Sequence, residues 1–199
     1  MTVLIQIVDS ALASAVERSG PHLVCRPGCA QCCHGVFAIS QQDADRLRTG
    51  LELLTASDPG RANRLRDRVA ASLARLAPSF PGNSSTGILT TDDEATAAFE
   101  DFANDEPCPV LDPESGTCDL YQYRPILCRT FGPPARTEEG HLAHCELCYG
   151  DASADEIAAC ELHPAVAEHV AESAAAFDAA HNLSGETLIA YSLRSNRLA

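Results

Sequence analysis

The chain has 199 residues, 45% hydrophobic but only 5% aromatic, with ten cysteines and a net charge of −14. That length supports one domain with a real core, and so negative a field repels phosphate backbones, which argues against general nucleic-acid binding. All 14 basic residues are arginine, so Schiff-base chemistry and a P-loop lysine drop out of the candidate mechanisms.

The first residues, Met1 to Asp9, have no basic leader, carry an acid in their apolar stretch and do not read as a secretory signal. No stretch approaches the roughly 20 apolar residues of a membrane span. The expectation is a cytoplasmic protein with no membrane association, in a compartment that keeps thiols reduced.

In chain order, Leu4, Ile5, Val8, Leu12 and Val16 predict a helix over 3–18, ending near Gly20-Pro21. Cysteines 25–33 follow as a loop, with Pro27 and Gly28 allowing a tight reversal. Ser40 with Asp43 predicts a cap for a helix over 41–54, stopped near Asp58-Pro59-Gly60. The next helix, 60–77, places Val69, Leu73 and Leu76 on one face and Arg61, Arg64, Arg68 and Arg75 on another, which reads as solvated. Residues 78–90 read as a surface loop, and Thr91 with Glu94 opens an acidic helix over 92–104.

From Cys108 to Cys148 the texture changes to short runs broken by Pro and Gly, with a small hairpin turning at Glu138-Glu139-Gly140. Helices return over 154–194: 154–162, 164–181 with Pro164 at its first position, and 185–194 capped by Ser184. The predicted fold is mainly α: a small helical single domain over 1–199, with a Cys-rich, loop-dominated metal-binding centre and one short β-hairpin. Its metal framework occupies 25–33 plus 108–148.

Reduced thiols at this density point to metal. A Cys-x2-Cys turn sets two sulfurs at a spacing that suits one tetrahedral ion, and two such pairs occur, Cys29/Cys32 and Cys145/Cys148. Cys25, Cys33, Cys108, Cys118 and Cys128 compete with them, which is too many ligands for one ion. Cys32 and Cys33 are adjacent, and successive side chains diverge, so they should serve different metals or different irons of a cluster. Nine ligands suit two four-coordinate centres, or a four-iron cluster plus a zinc, with a spare. Cys160, in its Ala-rich setting, reads as a small buried hydrophobe.

The blocks Cys25-x3-Cys29-x2-Cys32-Cys33, Cys108-Pro-Val-Leu-Asp112 and Cys118-x2-Tyr121-Gln-Tyr123-Arg124-Pro125-x2-Cys128-Arg129-Thr-Phe131 resemble the CxxCxxCC family, the YkgJ-type cysteine-cluster proteins regarded as zinc- or iron-chelating. The resemblance covers about residues 25–145 and implies a metal-binding role, with the family's eight cysteines falling on Cys25, Cys29, Cys32, Cys33, Cys108, Cys118, Cys128 and Cys145. Similar cysteine segments occur in flagellin lysine methylases, which use S-adenosylmethionine and hold an iron–sulfur cluster; this implies an iron–sulfur cofactor of the [4Fe-4S] type, with zinc or mononuclear or multinuclear iron as the alternative. The chain departs from the family name in its first gap, x3 rather than x2, and in the added Cys148.

A thiolate centre of net charge near −2 calls for cations close by. Arg124 and Arg129, flanking Cys128, are the candidates to donate N–H to sulfur, with an ion pair from Arg124 to Asp112 or Asp119 as the plain alternative. Tyr121 and Tyr123 read as packing residues, Phe131 as a seal against water, and His34 and His144 as weak ligand candidates. No Gly-x-Ser-x-Gly elbow, His-Glu-x2-His helix or dinucleotide fingerprint is present. Three functions follow from this reading: an iron–sulfur protein serving electron transfer or metal or sulfur supply to a protein partner; an iron–sulfur- or iron-dependent enzyme on a small-molecule or protein substrate; or a zinc-stapled interaction module.

Overall fold

The computed structural model describes residues 3–26, 28–137 and 140–195. Pro27 of the expected reversal and Glu138 and Glu139 of the expected hairpin turn lie outside the described residues. The order is α1 (Val3–Ser19), α2 (Gln41–Ser57), α3 (Pro59–Leu76), β1 (Gly82–Asn83), β2 (Ile88–Leu89), α4 (Asp93–Glu100), β3 (Leu111–Asp112), β4 (Thr117–Cys118), α5 (Ile126–Thr130), β5 (Ala135–Arg136), β6 (Leu142–Ala143), α6 (Ala154–Ala159), α7 (Ala165–His181) and α8 (Ile189–Ser192). The fold is mainly α, and its strands form three two-stranded antiparallel ribbons. Among the described residues no helix is long and apolar enough to cross a membrane.

Two compact units divide the chain. The first comprises Met1–Pro27 with Ile126–Ala176, the second Gly28–Pro125 with Phe177–Ala199. In the first, Leu4, Ile5, Val8 and Ala15 of α1 bury against Ile126, Leu162 and Val166. Leu4, Ile5, Val8 and Ala15 share one helical face; Val16, expected on it, turns outward at 41% exposure. Ribbon β5–β6 pairs Ala135 with Ala143 and Arg136 with Leu142, so the expected hairpin forms. Arg136 then ties it to the segment after α6 through Glu161, at 3.0 and 2.6 Å, and the Leu162 N–H donates to the Pro134 carbonyl at 2.7 Å.

The second unit is built on the α2–α3 hairpin. Ser40 Oγ accepts from the Asp43 N–H, as the sequence predicts. Asp58 closes α2, its N–H donating to the Leu54 carbonyl at 2.7 Å, and opens α3 by accepting from the Arg61 N–H at 2.9 Å. Pro59 sits in the first turn of α3, where its missing N–H costs nothing. Leu47, Leu51, Leu65 and Val69 pack with Val110, Leu120 and Ile189, and Cys108 and Cys118 lie against this core.

Three expected helices differ from the structure. The acidic helix is capped by Asp92 rather than Thr91 and stops at Glu100, because Ala103 takes a positive φ of 54°. The expected 185–194 helix shrinks to α8: Thr187 instead bridges Ile39 and Ile88 in extended pairing, which holds the backbone out of helix until Ile189. The 154–162 helix ends at Ala159 and begins with a reciprocal capping box between Ser153 and Glu156. The 78–90 loop contains ribbon β1–β2.

Candidate metal centre

The cysteines divide between the units. Cys29, Cys32, Cys33, Cys108 and Cys118 belong to the second; Cys25, Cys128, Cys145, Cys148 and Cys160 belong to the first. None of the ten is in a disulfide.

In the second unit a loop and a ribbon bring the thiols together. Residues 31–33 form a single 3-10 turn, with the Cys33 N–H donating to the Ala30 carbonyl at 2.9 Å. The chain then pairs with the segment before β3: the Gly35 N–H donates to the Glu106 carbonyl at 2.9 Å, the Cys108 N–H to the Cys33 carbonyl at 2.8 Å, and His34 bridges Pro107. Cys118 enters from β4, opposite Leu111. Gly116 takes φ +65° in the turn between the strands, and a Cβ there would lie 3.7 Å from the Gly28 carbonyl oxygen, which places the start of the cysteine loop beside the ribbon turn.

The electrostatics follow from this crowding. A hydrogen bond with the Cys33 thiol, then burial, pushes the Cys32 thiol well above its ordinary range. Burial pushes Cys108 up to about 12, with Cys118 and Cys32 adding to the rise. Burial raises Cys118 as well, and the Arg124 and Arg61 cations oppose it. Burial disfavours the thiolate at all three positions, and neighbouring thiols add to this at Cys32 and Cys108.

The Arg124 cation opposes the upward shift at both Cys32 and Cys118 in the second unit. Its guanidinium lies over the Tyr121 ring at 3.8 Å from the centroid and donates to the Tyr121 carbonyl at 2.8 Å. Arg129, in the first unit, is 5% exposed and pairs with Asp9 at 3.0 Å. Tyr123 is a packing residue, as expected: its ring covers Gly50 of α2, where a Cβ would stand only 2.6 Å away. Phe131 is 44% exposed, so the expected seal against water is not made by its burial.

The sequence reading named Asp119 only as an alternative partner for Arg124 and missed its tie to α3. Its carboxylate, 1% exposed, takes ion pairs from both Arg61 and Arg68 of α3. Arg68 Nε also donates to the Pro109 carbonyl at 2.9 Å, and the Asp119 N–H donates to the Val110 carbonyl at 2.9 Å. One arginine thus fixes the chain beside Cys108 and beside Cys118. The face expected to be solvated is half engaged here, and Arg75 pairs with Glu106 at 2.7 Å. The signal was present: 61, 68 and 75 are two helical turns apart, and an acid follows Cys118 directly.

In the first unit Cys145 and Cys148 form the expected tight turn, the Cys148 N–H donating to the Cys145 carbonyl at 2.9 Å. Both are buried in one cluster with Tyr149 and Cys160. The Cys145 N–H donates to the Gly132 carbonyl at 3.2 Å, and a Cβ on Gly132 would lie 3.3 Å from the Cys25 sulfur. His22 and His144 flank the Tyr149 ring at centroid distances of 6.0 and 5.1 Å. His144 Nδ1 lies 3.1 Å from the Cys145 carbonyl oxygen.

Soft thiols beside arginines suit zinc or iron. Among the described residues, no three His, Cys, Asp or Glu side chains form a group that could hold an ion. Residues 24–149 match the family model CxxCxxCC, described as a putative zinc- or iron-chelating domain. No curated protein and no solved structure matches the chain significantly.

Proposed function

Since the chain belongs to the CxxCxxCC family, we propose that it is an iron–sulfur protein that supplies electrons, metal or sulfur to a partner. The observation that carries this reading is that Cys32, Cys33, Cys108 and Cys118 neighbour one another within a single unit, the Cys108 N–H donating to the Cys33 carbonyl at 2.8 Å and Cys118 standing on the ribbon that follows, with Cys29 on the same loop. Adjacent Cys32 and Cys33 suit two irons of one [4Fe-4S] cluster better than one zinc. Cys25, Cys128, Cys145 and Cys148 are proposed metal ligands within the first unit, taken by itself.

When bound, the cluster would supply one-electron chemistry or labile iron and sulfide. The chain's own residues do the rest. Arg124 and Arg61 offset the anionic charge that ligation builds on Cys32 and Cys118. Arg68 and Asp119 hold the two ribbon arms in register. Core residues Val110 and Leu120 cover the ribbon's inner face and keep water from the Cys108 side. A net charge of −14 supports a protein or small-molecule partner over nucleic acid, and reduced thiols fit a cytoplasmic location.

Anaerobic purification tests the reading. The expected product is brown, contains iron and acid-labile sulfide, and has broad visible absorption bleached by dithionite. A colourless protein with stoichiometric zinc and no sulfide would overturn the cluster assignment in favour of zinc.

A further inference from the structure

The second unit contains a cleft of about 590 Å3, and every residue lining it belongs to that unit. This volume is within the ~300–1,000 Å3 typical of small-molecule sites. One wall is α2, where Gln41, Asp45, Arg48 and Glu52 recur at helical spacing and so share a face. The other is formed by ribbon β1–β2 and the chain from 182 to 194. Thr187 joins the two: it pairs with Ile39, just before α2, and with Ile88 of β2, its N–H donating to the Ile39 carbonyl at 3.0 Å. Backbone pairing therefore fixes the cleft on both sides.

The lining is largely polar even where it is buried. Gln41, Thr187 and Ser192 are all buried there, although burial penalises polar groups that lack partners. Thr187 and Ser192 spend their protons on the Gly87 and Ile189 carbonyls, at 2.6 and 2.8 Å, so the capacity each hydroxyl has left is to accept. Tyr191 lines the same cleft, and its buried hydroxyl has no hydrogen-bond partner. Charge is unevenly divided between the walls. On α2, Asp45 and Glu52 stand with Arg48, whose pairing with Asp45 is loose at 3.7 Å. The facing wall carries Arg194 and, among the described residues, no acid. Arg194 donates from its two terminal nitrogens to the Ser84 and Ser85 carbonyls, at 3.0 and 2.6 Å. Those neutral oxygens leave its positive charge unmatched by any carboxylate among the described residues.

We propose that this cleft binds a small zwitterion with a free ammonium and a free carboxylate, namely an α-amino acid with an uncharged side chain or a dipeptide of such residues. The ammonium suits the acceptor oxygens of Thr187 and Ser192 and the acidic wall of α2. The carboxylate suits Arg194, and Ile88 and Leu183 offer apolar surface to an aliphatic side chain. Other classes match less well. A phosphate or dicarboxylate meets two acids inside a molecule of net charge −14. A polyamine meets two arginines, and a neutral sugar leaves Arg194 without an anion. No cysteine lines the cleft, so this site stands or falls independently of the metal reading.

Saturation-transfer NMR and calorimetry on the full chain test this with two probe pools: the uncharged L-amino acids, and their dipeptides with L-alanine. A dissociation constant of about 1 mM or tighter is expected in at least one pool. A hit confined to the dipeptides makes the ligand a peptide; a hit among the amino acids makes it the free form. The N-acetyl and amide derivatives of the hit each lack one charge and should bind at least about tenfold more weakly. Arg194→Gln should weaken the hit about tenfold and leave the residual binding of its amide unchanged. Asp45→Asn, at an exposed position of α2, should weaken the hit and leave the N-acetyl derivative unchanged. A misfolded variant would instead lose every derivative alike, and the wild-type comparison of derivatives needs no variant at all. Absence of binding from both pools at about 10 mM, or derivatives that bind wild type as well as the hit does, overturns the proposal.

Discussion

Asp119 shows how much one residue beside a ligand can carry. Its buried carboxylate joins Arg61 and Arg68, and through Arg68 the Pro109 carbonyl. Asp119→Ala leaves two partly exposed guanidiniums without their shared anion and is expected to cost about 2–3 kcal/mol; urea unfolding of metal-free protein measures it. Metal retention should fall with it, since the arms bearing Cys108 and Cys118 lose their common tie. Cys108 makes a second prediction at this scale. Its folded thiol is held protonated up to about 12 by burial, whereas an unfolded thiol ionises near ~8.5. The stabilisation is complete below the unfolded value and is lost as pH rises through the folded one. Metal-free protein should therefore lose urea resistance progressively through that window, and Cys108→Ala should flatten the loss.

At the scale of elements, the α2–α3 hairpin and the ribbon after it decide where the second unit's thiols stand. Gly50 is the close-approach point: Gly50→Ala drives a methyl into the Tyr123 ring and is expected to cost roughly 1–3 kcal/mol, read as a lower melting temperature with a shifted Tyr123 signal. The Arg75–Glu106 pair links α3 to the segment that meets the cysteine loop. The Arg75 hydrogen bond holds Glu106 below the usual carboxylate range, so this tie is intact above the ordinary value near ~4.3 and weakens as pH falls through the lowered one. Hydrogen exchange at the Gly35 amide should speed up over that acid range, and Glu106→Gln should remove the pH dependence.

The same elements show what the sequence made legible. Ser40 before Gln41 and Pro59 after Asp58 are local signals, and the structure follows them because caps are settled within a few residues. The two unnoticed ribbons and the short α8 depend instead on pairing across distance: Thr187 meets Ile39 and Ile88, which no local pattern announces. The thiol-rich blocks were plain from spacing, but their five-and-five division was not. Cys25 and Cys29 are four residues apart and fall in different units, and the Cys160 thiol donates to the Arg18 carbonyl, 142 positions away.

For the whole molecule, metal should act as a fold ligand. Any ion that binds the folded chain and not the unfolded one stabilises by mass action, about 2.7 kcal/mol at a hundredfold excess over its dissociation constant. A strong chelator is accordingly expected to lower the melting temperature and to broaden or split the calorimetric transition, because each unit carries its own thiol set. A single sharp transition, unchanged by chelator, would count against metal as part of the fold.

The division of each unit into two distant stretches also bears on how the protein is made. Cys25, Cys29, Cys32 and Cys33 leave the ribosome first, while Cys118 follows about 85 residues later and Cys160 later still. At roughly 5–20 residues per second, four neighbouring thiols spend about 4–17 s in the nascent chain before β4 is synthesised. During that time copper or an oxidant can reach them ahead of their intended metal. The order of synthesis, as much as the finished site, therefore sets the conditions under which the cell must deliver the correct ion.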